Sequence, residues 1–238
     1  MGMARTDNKP RPDADPEPPT ARSAAGPVLV AVAAVVAALA TIAPETGGPG
    51  ITCDEWSNVF HGKRLVAALR QQGASFFDPG NIRENFPWRP GGPPFHPPLS
   101  HWILGLTHLV FDSRPDDRWA VSVVAGRFAG PLALGLLVLL VGLWTTRHEG
   151  ATAGTVAAAA VVLVPRVFGH GHLAGLDTFT ALTFVAALLA IAEAESRGGR
   201  PWQFALAGAV WGLALLARLH GVLLLPPVAV WLLWRRQR

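Results

Sequence analysis

Two adjacent carboxylates, Asp54 and Glu55, stand just beyond the first long apolar stretch. They head a Pro-rich loop that ends His96-Pro97-Pro98-Leu99. A carboxylate held at such a boundary, partly desolvated, can take a proton from an acceptor hydroxyl or amine. It can also bind a divalent cation that neutralises a phosphate. The plainer account is a pair of loop acids that hydrate a helix end. A third acid, Asp177, follows His170-Gly171-His172-Leu173-Ala174-Gly175-Leu176 and opens another apolar run. There it suits a helix N-cap and the positive end of the helix dipole, and an ionisable group near membrane depth also marks a functional position. His170 and His172 are two residues apart, so they share no helix face. In an extended turn both can point at one ion, with Asp177 or Glu55 completing the shell; as plain interfacial histidines they need none. Arg83, Arg89, His96 and Arg127 are the candidate anion-binding groups. Arg127 interrupts an apolar stretch and requires either an anionic head group or an internal carboxylate such as Asp177.

The elements that must position these residues are membrane-grade. Half of the 238 residues are apolar and only 15% are charged, and the apolar residues come in long blocks. This pattern predicts an all-α polytopic bundle forming one membrane domain, residues 26–238, behind a Pro-, Asp- and Arg-rich disordered tail, residues 1–25. Gly26–Ala43 is the first predicted span, although Thr41-Ile42-Ala43 loosely resembles a signal-processing site. Residues 44–118 form a large outer loop carrying short interfacial helices. One is an amphipathic helix over Glu55–Gln72, with Trp56, Val59, Phe60, Leu65, Val66 and Leu69 on its apolar side. Another is Leu99–Phe111, too short to span easily. Five further spans follow, at about Val121–Thr145, Ala151–Phe168, Thr178–Glu193, Trp202–Ala217 and Leu219–Trp234, making about six. Placing both termini in the cytoplasm puts Arg147-His148, Arg197, Arg200 and the basic C-terminus on that side, as the positive-inside rule asks. Asp54 and Asp177 then share the outer face.

The formal charge of +4 resides in short loops, and no basic solvated face of the kind that binds nucleic acid is visible. With Cys53 as its only cysteine the chain forms no internal disulfide. The sequence has no P-loop, no dinucleotide-binding glycine fingerprint, no HExxH and no GxSxG. A nucleotide-driven pump, a dehydrogenase, a zincin and an ordinary serine hydrolase are therefore disfavoured.

Taken in order, these pieces resemble a known family. An apolar first helix leads to Asp54-Glu55, then Phe95-His96-Pro97-Pro98-Leu99 with Trp102, then Arg127 opening a span, then His172-Leu173-Ala174-Gly175-Leu176-Asp177 before another. This is similar to the N-terminal part of GT-C-fold glycosyltransferases of the protein O-mannosyltransferase and aminoarabinose transferase-like group. The resemblance implies transfer of a sugar from a polyprenyl-phosphate carrier to a lipid, glycan or protein acceptor at the outer face. It implies that Asp54 is the catalytic base, Glu55 its acidic neighbour, Asp177 the second acid and His96 a group near the donor phosphate. It leaves a divalent metal, held by Glu55, His170 and His172, as a further expectation. Family members are longer, which implies a second chain or further segment supplying more helices. Two other readings compete: a non-catalytic membrane subunit binding lipid phosphate or a partner, and a transporter. The collection of polar groups at one face favours surface chemistry over a transport path.

Overall fold

The computed structural model describes residues 23–42, 50–86, 96–112, 120–196 and 198–236. Arg89, most of the Pro-rich run and the tail up to residue 22 lie outside these. Among the described residues the chain is helical throughout and contains no strand.

Helix α1, Ala25–Ala40, is the first predicted span. Helix α2, Glu55–Gln72, has the bounds its amphipathic pattern predicts, and it ends where Gly73 turns the backbone to φ 56°. A short 3-10 turn, Gly73–Phe77, leads into α3, Pro79–Asn85. Helix α4, Pro98–Phe111, starts on the proline pair, whose fixed φ suits a first turn. It packs along α2 at a glycine crossing. A Cβ on Gly62 would meet the His101 carbonyl, and one on Gly105 would meet the Gly62 carbonyl. The two backbones therefore touch, and the side chains that flank the crossing are held in one register.

The next predicted span is broken. Helix α5, Val123–Arg127, and α6, Ala129–Glu149, are separated at Phe128. Pro131 explains the break: its ring opposes the Arg127 carbonyl, four residues back, and offers no N–H to it. Pro165 likewise divides the following run into α7, Ala151–Leu163, and α8, Pro165–His170. Helices α9, Asp177–Ser196, and α10, Pro201–Ala217, follow. Arg218 then adopts an extended backbone, φ −162°, before a 3-10 turn, Leu219–Leu224, and α11, Leu225–Arg236. The indole N–H of Trp211 donates to the Gly221 carbonyl at 2.8 Å, fastening that turn back onto α10.

Two segments are long and apolar enough to cross a membrane, Val123–Glu149 and Asp177–Ser196. The other predicted spans are shorter apolar helices: Ala25–Ala40, Ala151–Leu163, Pro201–Ala217 and Leu219–Trp234. The expectation of six spans is thus met in full by two. Three apolar cores run through the bundle. One joins α1, α6 and α7 through Ala34, Ala38, Leu134, Val138 and Ala158. Another joins α9 to α10, the 3-10 turn and α11 through Ala187, Ala207, Ala214, Leu224 and Val228. The third, Val59, Leu104, Val123, Ala133, Leu176 and Phe179, ties the α2–α4 pair to α5, α6 and α9.

The polar groups collect at the two ends of α9, about 30 Å apart for a helix of this length. At its C-terminal end Glu193 meets Arg147 at 3.5 Å and His148 at 3.1 Å. At its N-terminal end lie Asp177 and the turn that carries His170.

Candidate active site

The site is organised by a buried ion pair. Glu55 and Arg127 are each 1% exposed. The guanidinium donates twice to the carboxylate, Nε to Oε1 and one terminal nitrogen to Oε2, both at 2.7 Å. Arg127 also donates to the Gly50 carbonyl at 2.8 Å. The carboxylate further accepts from the Thr52 and Ala174 backbone N–H groups, at 2.9 and 2.8 Å. Asn58, one turn along α2, donates to the Ala174 carbonyl at 3.3 Å. The backbone of one residue, Ala174, is thus held by α2 through both its N–H and its carbonyl. Burial alone pushes the Glu55 carboxyl up, but the bonds from Arg127, Thr52 and Ala174 outweigh it and hold it below the ordinary range.

This clamp sets one residue on either side of it. Asp54, at the exposed start of α2, and Asp177, at the start of α9, both line one cleft of about 400 Å³. His96, His170 and Arg218 line it too, with Ser57, His61 and His101 on the α2–α4 side. The Cys53 thiol lies 3.7 Å from the Asp54 carboxylate. Arg218 donates to Asp177 at 2.7 Å, and His170 stands 3.5 Å from the other oxygen of the same carboxylate. The Ser100 hydroxyl donates to the Ala217 carbonyl at 3.3 Å, fixing the end of α10, and so Arg218, against α4. The Nε of Arg218 is buried and has no hydrogen-bond partner among the described residues. A guanidinium with a spare donor beside a cleft can take an anion.

The cleft opens sideways. A groove of about 620 Å³ shares Asp177 and Arg218 with it and adds His220 at its head. It runs down α9 over Thr180, Ala181, Phe184 and Val185, the i, i+3, i+4, i+7 and i+8 face counted from Asp177. It sets a polar head above a largely apolar trough on a membrane-length helix.

Three imidazoles close the opposite side. His101 stacks near His96, with ring centroids 6.3 Å apart, and meets His61 edge-on at 5.9 Å. Burial lowers the pKa of all three. For His61 the positive charge of Arg64 adds to the effect. For His96 the charges of Arg218 and His220 add to it, while Asp54 and Asp177 oppose. His101 falls to about 4. A histidine buried neutral costs stability as pH drops, because the unfolded chain takes up the proton and the folded one resists it. Stability should therefore fall from about pH 6.5 toward pH 4, by about 3 kcal/mol for this group at 1.36 kcal/mol per unit. Thermal melts at pH 7 and 4.5 should show the slope, and His101→Gln should flatten it.

The residues expected from sequence divide in two. Asp54, His96, His170 and Asp177 meet at the cleft. Glu55 and Arg127 do not: each is the other's partner, in place of the phosphate or Asp177 considered for Arg127. Asp177 is the first residue of α9 rather than its N-cap, and its side chain is turned to Arg218 and His170 instead of to its own backbone. Arg83 sits on the exposed side of α3, away from the residues lining the cleft. The ligands expected for a cation are not assembled. Glu55 is consumed by four donors, and His172 lies against Phe168, with ring centroids 5.8 Å apart, outside the cleft lining. Among the described residues no group of three His, Cys, Asp or Glu side chains is placed to hold a metal. Sequence reasoning missed Arg218, His61 and His101. Arg218 carried a readable signal, a lone cation between two apolar runs on the face shared with Asp177.

Comparison with known proteins finds no match among curated proteins and none among solved structures. A family match covers residues 95–238, more than half of the chain. It includes His96, Arg127, Asp177 and Arg218, and Asp54 and Glu55 precede it. The Glu55–Arg127 pair and the hold on Ala174 fasten that preceding segment to the matched part, so that the cleft is built from both. The chain belongs to the dolichyl-phosphate-mannose-protein mannosyltransferase family, a group of GT-C-like membrane glycosyltransferases.

Proposed function

We propose that the cleft is the transfer site of a polyprenyl-phosphate-sugar-dependent glycosyltransferase working at the outer membrane face. The observation that carries this reading is the continuity between the acid-lined cleft and the groove on α9, which share Asp177 and Arg218. The prenyl chain would lie along Ala181, Phe184 and Val185. The phosphate would sit at Arg218 and His220, and the hexosyl or pentosyl group would project into the cleft toward Asp54.

Transfer is then a single inverting displacement. Asp54 accepts the proton of the acceptor hydroxyl or amine as that atom bonds the anomeric carbon. The bond from the anomeric carbon to the phosphate oxygen breaks, and its electrons leave with the phosphate. Arg218 stabilises the charge that grows there, in a site where preorganised donors are most effective. Asp177 holds Arg218 in place through their 2.7 Å bond. Arg147, His148 and Arg200 lie toward the opposite end of the bundle, which supports the outer-face orientation through the charge bias.

Arg218→Gln tests the donor site. A hydrogen bond to a charged group contributes about 1.5–3 kcal/mol, so the KM for a polyprenyl-phosphate sugar should rise about tenfold to a hundredfold. Arg218→Lys should recover part of it. An unchanged donor KM in Arg218→Gln would remove the phosphate from this position.

A further inference from the structure

A second cleft, of about 680 Å³, lies on the far side of the histidines, between α2 and α4. Lys63, Arg64 and Arg70 line it together with the amides of Gln71, Gln72 and Asn85. No carboxylate is among its described lining residues. The pattern follows from helix geometry. Arg64 and Gln71 stand on one row of α2, Lys63 and Arg70 on the neighbouring row, and Ala67 and Ala68 between them leave the hollow. The Asn85 amide donates to Gln72 at 2.9 Å and so fixes α3 against the rim. A narrow neck of about 10 Å³, lined by His61, His96 and His101, shares those three residues with the acid-lined cleft and shares Arg64 and Asn85 with the basic one. The adjoining face of α4, Leu106, Val110 and Phe111, is exposed and apolar.

We propose that this α2–α4 cleft binds the phosphate-bearing head group of an anionic membrane lipid. Its place beyond the histidine neck sets it apart from the transfer site. Cationic and amide donors, with no carboxylate among the described lining residues, suit a phosphate. The histidine neck, with Arg64 on its basic side, separates this anion from the donor phosphate proposed at Arg218.

The test measures binding without donor or turnover. The full chain is placed in phosphatidylcholine nanodiscs, with Cys53→Ser and an environment-sensitive dye on Gln71→Cys. Raising phosphatidylglycerol from zero to about one lipid in three should give a saturating spectral change that weakens with salt. Arg64→Gln with Arg70→Gln should shift its midpoint at least tenfold, and Arg64→Glu with Arg70→Glu should abolish it. Both residues are exposed, so the thermal midpoint should stay unchanged, and Arg218→Gln should leave the titration unaltered. No response to phosphatidylglycerol, or an equal response in the double variants, overturns the site. Saturation by inorganic pyrophosphate in pure phosphatidylcholine overturns the lipid as its source. Saturation by an acidic peptide alone assigns the cleft to a protein instead. Because donor KM is read separately, failure here leaves the transfer site standing, and failure of the transfer site leaves this binding result standing.

Discussion

Glu55→Gln should destabilise the chain by about 3–5 kcal/mol, the usual cost of removing one partner from a buried pair. Asp54→Asn, one residue away, should change stability by less than about 0.5 kcal/mol. The contrast follows from burial. Glu55 accepts from Arg127, Thr52 and Ala174 at once, and an amide cannot accept on both its heavy atoms. Arg127, 1% exposed, is left with an uncompensated charge. Asp54 is exposed, and among the described residues its carboxylate makes no such bonds beyond the Cys53 contact. The loss should spread to the site, because the grip on Ala174 is what sets Asp177 opposite Asp54. Changing Arg127 as well should recover part of the loss, whereas Arg127 and Asp177 should act additively, having different partners. The pair also has a pH signature. The carboxyl is held below its ordinary value of 4.5. Its contribution is therefore fully present above that pH and is lost as pH falls through the lowered value. Thermal melts of these variants in one detergent, repeated across pH, would measure all of this.

How much of this architecture was readable follows the physics of each signal. The bounds of α2 were legible because its apolar residues repeat at helical spacing and Gly73 ends them. The polar ends of the bundle were legible from charge placement. The break at Phe128 was equally local, since Pro131 specifies it, yet the unbroken apolar run from Val121 masked it. The Glu55–Arg127 pair was not legible in the same way. Its members are 72 residues apart, and several acids face the same end of the bundle, so charge sign alone could not choose Glu55 over Asp177. Adjacent residues gave the same difficulty. Asp54 and Glu55 are chemically alike and differ only in which side of α2 each faces, one toward the cleft and one into the bundle. Arg218 was visible as a charge between two apolar runs, but its role appears only when the end of α10 is seen against α4 and α9. The family match begins after both acids, so their different surroundings, one buried and paired and the other exposed at the cleft, are read from the structure alone.

The most direct test of the account is the rate of sugar transfer by Asp54→Asn. The substitution keeps size and removes the base, and positioned general bases contribute about a hundredfold to ten-thousandfold. The kcat for transfer from a polyprenyl-phosphate sugar should fall by that range. The donor KM, set at Arg218 and the α9 groove, should stay within about threefold of wild type by the small effect expected of uninvolved surface changes. Loss of rate with donor binding and thermal midpoint preserved would place the acceptor's proton on Asp54. Transfer at the wild-type rate, with donor bound as before, would contradict the assignment and leave the cleft a lipid-phosphate-binding site without a base.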